Sequence, residues 1–496
     1  MGPNLLGFKN SKIMQIIIPM SGFGERFRAA GYVIPKFLIE VDGKPIIQHV
    51  IEMFPGEKKV FFICNENHLM RPEFKMEDTL NAVCPSGTVL GISEHKLGPV
   101  HAVLQGLKEV NLDEPTIVNY CDFTCYWDFS HFKQFVTNNK CDGAIPSYRG
   151  FHPHTLWNKN YAYIKETDSK ILDIQEKKPF TSNPNNEFAS SGTYYFKSAT
   201  MMKAYFERCI EEKLMVGEEY YVSMPYKPMI EDGLNVLVYE LNYFMQWGTP
   251  QDLHDYRYWS NVFNGVIENK ETPFHKGNLL VPMVGEGRRF SEGGYSTPKP
   301  LISVGGRPMA IQAIRALPKT ESQTFILRED FPDLSELMGK LSEFSESPNF
   351  SILKSLTDGQ ATTCTEGSKN LVRDSQVTVG ACDNGMQYDK KLFDEIMIDD
   401  SVDIIVWAAR GYPGAIRSPE NYGWIDVDEN GYIRAVSVKT PLSDPSNDPI
   451  IVGAFTFKFL SDLIDAVDHM KSREARVNGE YYVCLLYTSP SPRDRG

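Results

Sequence analysis

Residues 18–45 read IPMSGFGERFRAAGYVIPKFLIEVDGKP, and residues 281–308 read VPMVGEGRRFSEGGYSTPKPLISVGGRP. Without a gap, 15 of these 28 positions are identical at an offset of 263. A repeat this long marks two copies of a whole domain, not a solenoid of short units. The register continues at an offset of 261, where Asp122 in NYCDF meets Asp383 in GACDN. Tyr161-Ala-Tyr163 meets Tyr422-Gly-Trp424, Ser191-Gly192 meets Val452-Gly453, and Glu219-Tyr-Tyr-Val222 meets Glu480-Tyr-Tyr-Val483. Residues 265–278, GVIENKETPFHKGN, are polar and aperiodic and set the boundary. The expected domains are therefore 14–262, complete, and 278–483. After Val483 no counterpart of Ser223 to Leu253 follows, and the chain reads CLLYTSPSPRDRG. Residues 484–496 look like translated sequencing adapter, so the second copy is expected to be C-terminally truncated.

Charge and composition then exclude several classes. With 51 Lys+Arg against 64 Asp+Glu, the net charge of −13 opposes a phosphate-backbone partner, so no nucleic acid is expected. No apolar run approaches the roughly 20 residues that span a bilayer, and MGPNLL carries no myristoylation signal. The 9 cysteines form no CxxC pair, which fits reduced, buried thiols in a cytoplasmic protein.

Met14 to Pro19 is a short apolar run ending at turn residues, as a buried strand is. Lys44-Pro45 is expected to open a helix with Pro at its first position, with Ile46, Ile47, Val50, Ile51 and Phe54 at helical spacing. Lys59 to Cys64, Thr88 to Ile92 and Thr116 to Asn119 read as further strands, and Val100 to Leu107 as a helix. Asn235 to Leu241 alternates like a late strand. This alternation predicts an α/β fold, a mixed and mostly parallel sheet with helices on both faces. Ligands of such sheets sit beyond the carboxyl ends of the strands.

Two constellations fall there. In SGFGERF, Ser21 to Phe27, Gly22 and Gly24 permit backbone turns that a Cβ would block, and successive N–H groups there can cradle phosphate. Arg26 adds a planar permanent charge. The loop is neither a Rossmann fingerprint, since Phe27 stands at the third glycine, nor a Walker loop, since Gly-Lys-Ser/Thr is absent. Lys36 follows Pro35, and the second copy repeats the set as Gly285, Gly287, Arg289 and Pro298-Lys299. Two cations converging on one glycine loop suit a polyphosphate. Asp122, matched by Asp383, ends an apolar run and could hold Mg²⁺ against substrate phosphates. Phe123-Thr124 follow it, so there is no DxD.

With these residues in place, the chain resembles the sugar-1-phosphate nucleotidyltransferases, or nucleotide-sugar pyrophosphorylases, whose hallmark is GxGxRF/L, then PK, then a strand-end Asp. The resemblance implies a Rossmann-like (GT-A-like) fold in two tandem copies. It implies nucleotide binding by Ser21, Gly22, Gly24 and Gly98, and catalysis by Arg26, Lys36 and Asp122, with Mg²⁺ on Asp122. It further implies sugar-phosphate binding by Glu176, Lys177 and Gly192, and a late turn at Gly248-Thr249-Pro250. The family often has a second metal-binding Asp where this chain has Gln246; either Asp122 acts alone, or Asp232 or water compensates. In the second copy Val438 replaces Glu176, whereas Lys439 matches Lys177.

The implied reaction joins a nucleoside triphosphate to a sugar-1-phosphate and releases pyrophosphate. The attacking oxygen is already anionic, so positioning and charge neutralisation suffice without a general base. Expected partners are those two substrates and, as an open alternative, further copies of the chain in a homo-oligomer; no membrane is expected. Two alternatives stay open. The acceptor could be of phosphocholine or molybdopterin type, with Tyr194, Tyr195, Tyr220 and Tyr221 as an aromatic cage. One copy could instead be a non-catalytic nucleotide-sugar-binding module.

Overall fold

The computed structural model describes residues 13–268, 274–477 and 479–488. The segment MGPNLL, residues 269–273 of the linker, and the tail from 489, with Pro490 and Pro492, lie outside the described residues. The chain divides after Ser260 into two compact units.

In the first unit, ten strands form one sheet. They are β1 (Gln15–Met20), β2 (Lys59–Asn65), β3 (Thr88–Ile92), β4 (Thr116–Asn119) and β5 (Gly143–Tyr148). Then come β6 (Ala162–Thr167), β7 (Lys170–Glu176), β8 (Phe188–Ser190), β9 (Thr193–Phe196) and β10 (Val236–Glu240). Their order is β8-β6-β7-β10-β5-β9-β4-β1-β2-β3. Along β1, Ile16 and Ile18 pack into one apolar layer and Ile17 into the other, as the two-residue period of a strand requires. The first layer takes Ile46, Ile47 and Val50 from helix α1 (Ile46–Glu52); the second takes Val100 and Val103 from α2 (Pro99–Gln105). A sheet apolar on both faces needs helices on both, and both layers are covered.

Two expectations are corrected. Lys44-Pro45 pairs with Glu40-Val41 as a small ribbon, and Pro45 is the N-cap of α1, not its first residue. The cause is Asp42-Gly43, both at positive φ (48° and 77°), the signature of a tight hairpin turn. Phe54 lies past the helix end yet stays buried. The sheet, too, is not mostly parallel. β1 with β2 and β4, β2 with β3, and β5 with β10 are parallel, and the other six pairings are antiparallel. β6 and β7, for example, are joined across Asp168-Ser169, again at positive φ, so they fold back on each other.

The second unit has β11 (Phe274–Pro282), β12 (Lys319–Arg328), β13 (Pro348–Leu353), β14 (Val377–Val379), β15 (Ile404–Ala409), β16 (Gly423–Val427), β17 (Ile433–Val438) and β18 (Ile450–Phe457). The order is β13-β12-β11-β14-β18-β16-β17, with β15 also pairing β18. β11 opens four residues before the expected domain start. β15 pairs β18 alone among the described strands, whereas β5 of the first unit pairs β8, β9 and β10. All six residues of β5 are buried; of β15 only Trp407 is.

All nine cysteines are free thiols, and seven of them are buried. No helix among the described residues is long and apolar enough to cross a membrane.

Candidate active site

β1 ends at Met20, and the chain turns through Ser21, buried at the strand end, into Gly22 and Gly24. Gly24 stands at φ +62°, a left-handed conformation that costs glycine nothing, and starts the short helix Glu25–Ala29 without a side-chain cap. The turn thus presents Arg26 outward; it is exposed, and among the described residues its side chain makes no ion pair or hydrogen bond. Pro35 fixes the start of a 3-10 turn, Lys36–Leu38, that buries Phe37 and Leu38 and sends Lys36 the other way. Lys36 Nζ donates to Asp122 Oδ2 at 2.6 Å. Burial works against the Lys36 charge, but the Asp122 carboxylate and its hydrogen bond outweigh it and hold the pKa above the usual lysine value.

These residues surround one cavity of about 1000 Å³ at the carboxyl ends of β1 to β4. Ser21, Gly22, Gly24, Arg26, Lys36, Gly98 and Asp122 all line it. Gly98, at φ +86°, is held against the backbone of Tyr220: a Cβ there would stand 2.8 Å from Tyr220 N and 2.9 Å from its O. Tyr220 N donates to Leu97 O at 2.9 Å, and Val100 N to Tyr220 O at 3.1 Å, which clamps the two loops together.

The three expected acceptor residues do not line this cavity but adjoin it through two tyrosines that do, Tyr120 and Tyr221. Lys177, left-handed at φ +59°, donates through Nζ to Tyr221 OH at 2.6 Å, and Tyr221 OH in turn donates to Glu219. Glu176 Oε2 accepts from Ser223 Oγ at 2.6 Å. Burial raises the Glu176 pKa, against the opposing pull of Ser223 and Lys177. Gly192, at φ +98°, leaves room for the rings of Phe123 and Tyr120, each 3.1 Å from where a Cβ would be.

The donor set around Asp122 suits a hard cation. Lys36 occupies Oδ2, and Oδ1 carries no hydrogen bond among the described residues. Gln246 lies opposite Phe123 in a two-stranded ribbon, and Trp247 N donates to Asp122 O at 2.8 Å. A methyl on Gly248 would meet Gln246 Nε2 at 2.4 Å and Asp122 Oδ2 at 3.2 Å, so Gln246 turns its amide nitrogen, a donor and not a cation ligand, toward this point. One carboxylate is few ligands, as befits Mg²⁺ completed by substrate phosphates and water. Asp232 is not brought there; it accepts from Tyr205 OH at 2.7 Å and Arg208 Nη1 at 2.8 Å. The tyrosine cage does not form either. Tyr194, Tyr195 and Tyr220 are buried, and the ring of Tyr221 has Lys177 Nζ 4.4 Å from its centre.

Sequence reasoning missed Tyr120 and Asp252. Asp252 is buried, and burial raises its pKa to about 6 despite bonds from Thr249 N and Oγ1, with the Asp122 charge acting in the same direction. Thr249-Pro-Gln-Asp252 is a capping-box spacing, the signal that could have found it. Tyr120, one residue before the noted Cys121-Asp122, had no signal beyond that position.

In the second unit Gly285 is exposed, Gly287 is left-handed at φ +65°, Arg289 is exposed, Lys299 ion-pairs with Asp383, and Lys439 is left-handed at φ +60°.

Fold and cavity define the class of the first unit: a Rossmann-like α/β domain with a cation-lined pocket beyond the carboxyl ends of its strands. Residues 15–256 match the model of the nucleotidyl transferase family. The bifunctional protein GlmU of Paraburkholderia phytofirmans is 31% identical over 109 residues, which cover 22% of this chain and 22% of that protein. The matched segment thus spans about a fifth of the curated relative's length. Among solved structures, a nucleoside-diphosphate-sugar pyrophosphorylase from Vibrio cholerae RC9 is 20% identical, covering 49% of this chain and 100% of that one at a TM-score of 0.39. A UDP-glucose pyrophosphorylase from Acinetobacter baumanii is 17% identical, covering 52% and 100% at a TM-score of 0.41.

Proposed function

We propose that the first unit, residues 14–262, joins a nucleoside triphosphate to a sugar-1-phosphate, giving a nucleoside-diphosphate sugar and pyrophosphate. The observation that carries this is the arrangement of Lys36, Asp122 and the unpaired Arg26 around the left-handed Gly24 turn in one cavity. An oxygen of the sugar phosphate attacks the α-phosphorus, the bond from that phosphorus to the oxygen bridging to the β-phosphate breaks, and pyrophosphate leaves with its electrons. Arg26 and Lys36 neutralise the triphosphate, and the Ser21 to Gly24 backbone cradles it. Lys177 meets the acceptor phosphate, and Glu176 accepts from a sugar hydroxyl. Asp122 would hold Mg²⁺, which supplies charge neutralisation and alignment of the phosphates. The attacking phosphate is already ionised, so no base is required.

A phosphocholine acceptor would need exposed aromatic faces, and three of the four candidate tyrosines are buried. A hydroxyl-rich acceptor suits the Glu176, Ser223 and Lys177 side chains better.

The test is a pyrophosphate-release screen of ATP, CTP, GTP, UTP and dTTP against a panel of sugar-1-phosphates with Mg²⁺. At least one pair should release pyrophosphate and yield the nucleoside-diphosphate sugar. Release that required no sugar phosphate, or none with any pair, would overturn the reading.

A further inference from the structure

The family match ends at residue 256, so it assigns nothing to residues 261–496. We infer that this second unit carries its own nucleoside-triphosphate site, one that holds the nucleotide without transferring it. The inference rests on the functional reading of the first unit, because the ligand class is taken from there.

Several local geometries recur in the two units, each within its own unit. Gly287 takes φ +65° where Gly24 takes +62°, and each begins a five-residue helix carrying an arginine at its second position, Arg289 or Arg26. Pro298 starts the 3-10 turn Lys299–Leu301, and Lys299 ion-pairs with Asp383 as Lys36 does with Asp122. Gly359 repeats the Gly98 clamp. It stands at φ +126°, and a Cβ there would meet Tyr481 O at 2.5 Å and N at 2.6 Å. Tyr481 N donates to Asp358 O at 2.8 Å and Ala361 N to Tyr481 O at 3.0 Å, the same ladder as Leu97, Tyr220 and Val100. Arg289 also places its charge near Tyr482, as Arg26 does near Tyr221. Gly98 and Gly359 are crowded by backbone, which cannot move aside as a flexible side chain would. A loop held this tightly in both units is a shaped surface, not an incidental turn.

The acceptor half differs. Lys439 keeps the left-handed φ of Lys177, and its N donates to Tyr422 O at 2.9 Å as Lys177 N does to Tyr161 O at 2.8 Å. The residue before it is Val438, where the first unit has Glu176. Valine cannot accept from an acceptor hydroxyl, so the second unit repeats the glycine-turn, arginine and lysine geometry but lacks the carboxylate for a polyol partner. Binding without transfer follows.

The test is equilibrium dialysis of the full chain with ATP, CTP, GTP, UTP and dTTP, each titrated separately with Mg²⁺ and no acceptor. Two classes of site should appear across the five nucleotides. Arg26→Ala should weaken one class and Arg289→Ala the other, each raising its Kd by about tenfold or more, the scale of one lost charge-assisted hydrogen bond. Both arginines are exposed and unpaired among the described residues, so neither variant endangers folding. In Arg26→Ala protein the Arg289-dependent nucleotide should stay bound while pyrophosphate release falls. A single class of site, an Arg289→Ala isotherm identical to wild type for every nucleotide, or pyrophosphate release that depends on Arg289 and not on Arg26 would each overturn the inference. Two classes of site with no pyrophosphate release from any pair would support the second site and sink only the transfer reading of the first unit.

Discussion

Burial among aromatic rings drives the His154 pKa down to about 3, with the nearby His152 adding to the shift. Its ring lies 5.2 Å from that of Tyr148, 5.0 Å from Tyr161 and 5.3 Å from Phe244, and its Nε2 meets Tyr148 OH at 2.8 Å. A histidine held neutral contributes no penalty above its unfolded pKa of about 6.5; folded stability is lost as pH falls from there toward 3. The loss approaches about 5 kcal/mol at the acid end, an upper bound from that shift. Urea midpoints of His154→Phe should therefore fall less steeply than wild type between pH 6.5 and 3, although starting lower because Tyr148 OH loses its partner. Parallel pH profiles would show that His154 is not the group responsible. At the cavity, Arg26→Ala and Asp122→Ala should each reduce pyrophosphate release about 10²-fold or more, as loss of one preorganised electrostatic contact does. Lys177→Ala should raise KM for the sugar phosphate more than for the nucleotide. Steady-state kinetics checks both, and wild-type rates in either cavity variant would remove that residue from the site. Arg26, Lys36 and Asp122 were legible in the sequence because a glycine turn, a Pro-Lys pair and a strand-end Asp each have a local signature. Asp252 carried only a capping-box spacing, which says nothing of its burial, and Tyr120 carried no signal, because its contacts are with Val222 and Tyr194, far along the chain.

At the scale of elements, the contrast between β5 and β15 has a measurable consequence. β5 lies inside the sheet with all six residues buried, whereas β15 hydrogen-bonds to β18 alone among the described strands, and Ile404, Ile405 and Val406 are half-buried. Amides on an open edge exchange through small local openings. Hydrogen exchange should be at least about tenfold faster, on average, over 404–409 than over 143–148. Limited proteolysis should likewise cut within 274–488 before 13–260; equal protection of the two strands would contradict this account. The parallel strands β1 to β4 were readable from short apolar runs bounded by turns. The antiparallel half was not, because β10 inserts between β5 and β7 from about 60 residues downstream, a placement no local pattern carries.

For the molecule as a whole, the helix Pro250–Glu268 runs across the point where the two units divide. Its first turns belong to the first unit: Leu253 is in that core, and Tyr256 OH and Ser260 Oγ donate to Asp42 at 2.8 and 2.7 Å. A fragment of residues 1–268 should accordingly fold and release pyrophosphate, whereas one ending at 248 should lose cooperative thermal unfolding. Calorimetry and the release assay on both fragments check this, and an inactive but folded 1–268 would mean that the second unit is needed for transfer. The repeat made two units expected from the sequence alone. Their dissimilar sheets were not, since 15 identities in 28 positions describe one loop and leave strand neighbours open.

The buried thiols have a practical side. Burial raises Cys121, Cys125, Cys209 and Cys364 to about 12, and Cys141, Cys382 and Cys484 to about 11. A thiol at 11 is ionised in only about one molecule in a thousand at pH 8, and the thiolate is the species that alkylates. Maleimide dyes should therefore largely ignore the native protein, with no need to strip its cysteines first. Val33 is 85% exposed and lies on the wall of the cavity. A Val33→Cys variant carrying an environment-sensitive fluorophore would give an optical signal as the pocket fills, turning the chain into a reporter of its own ligand.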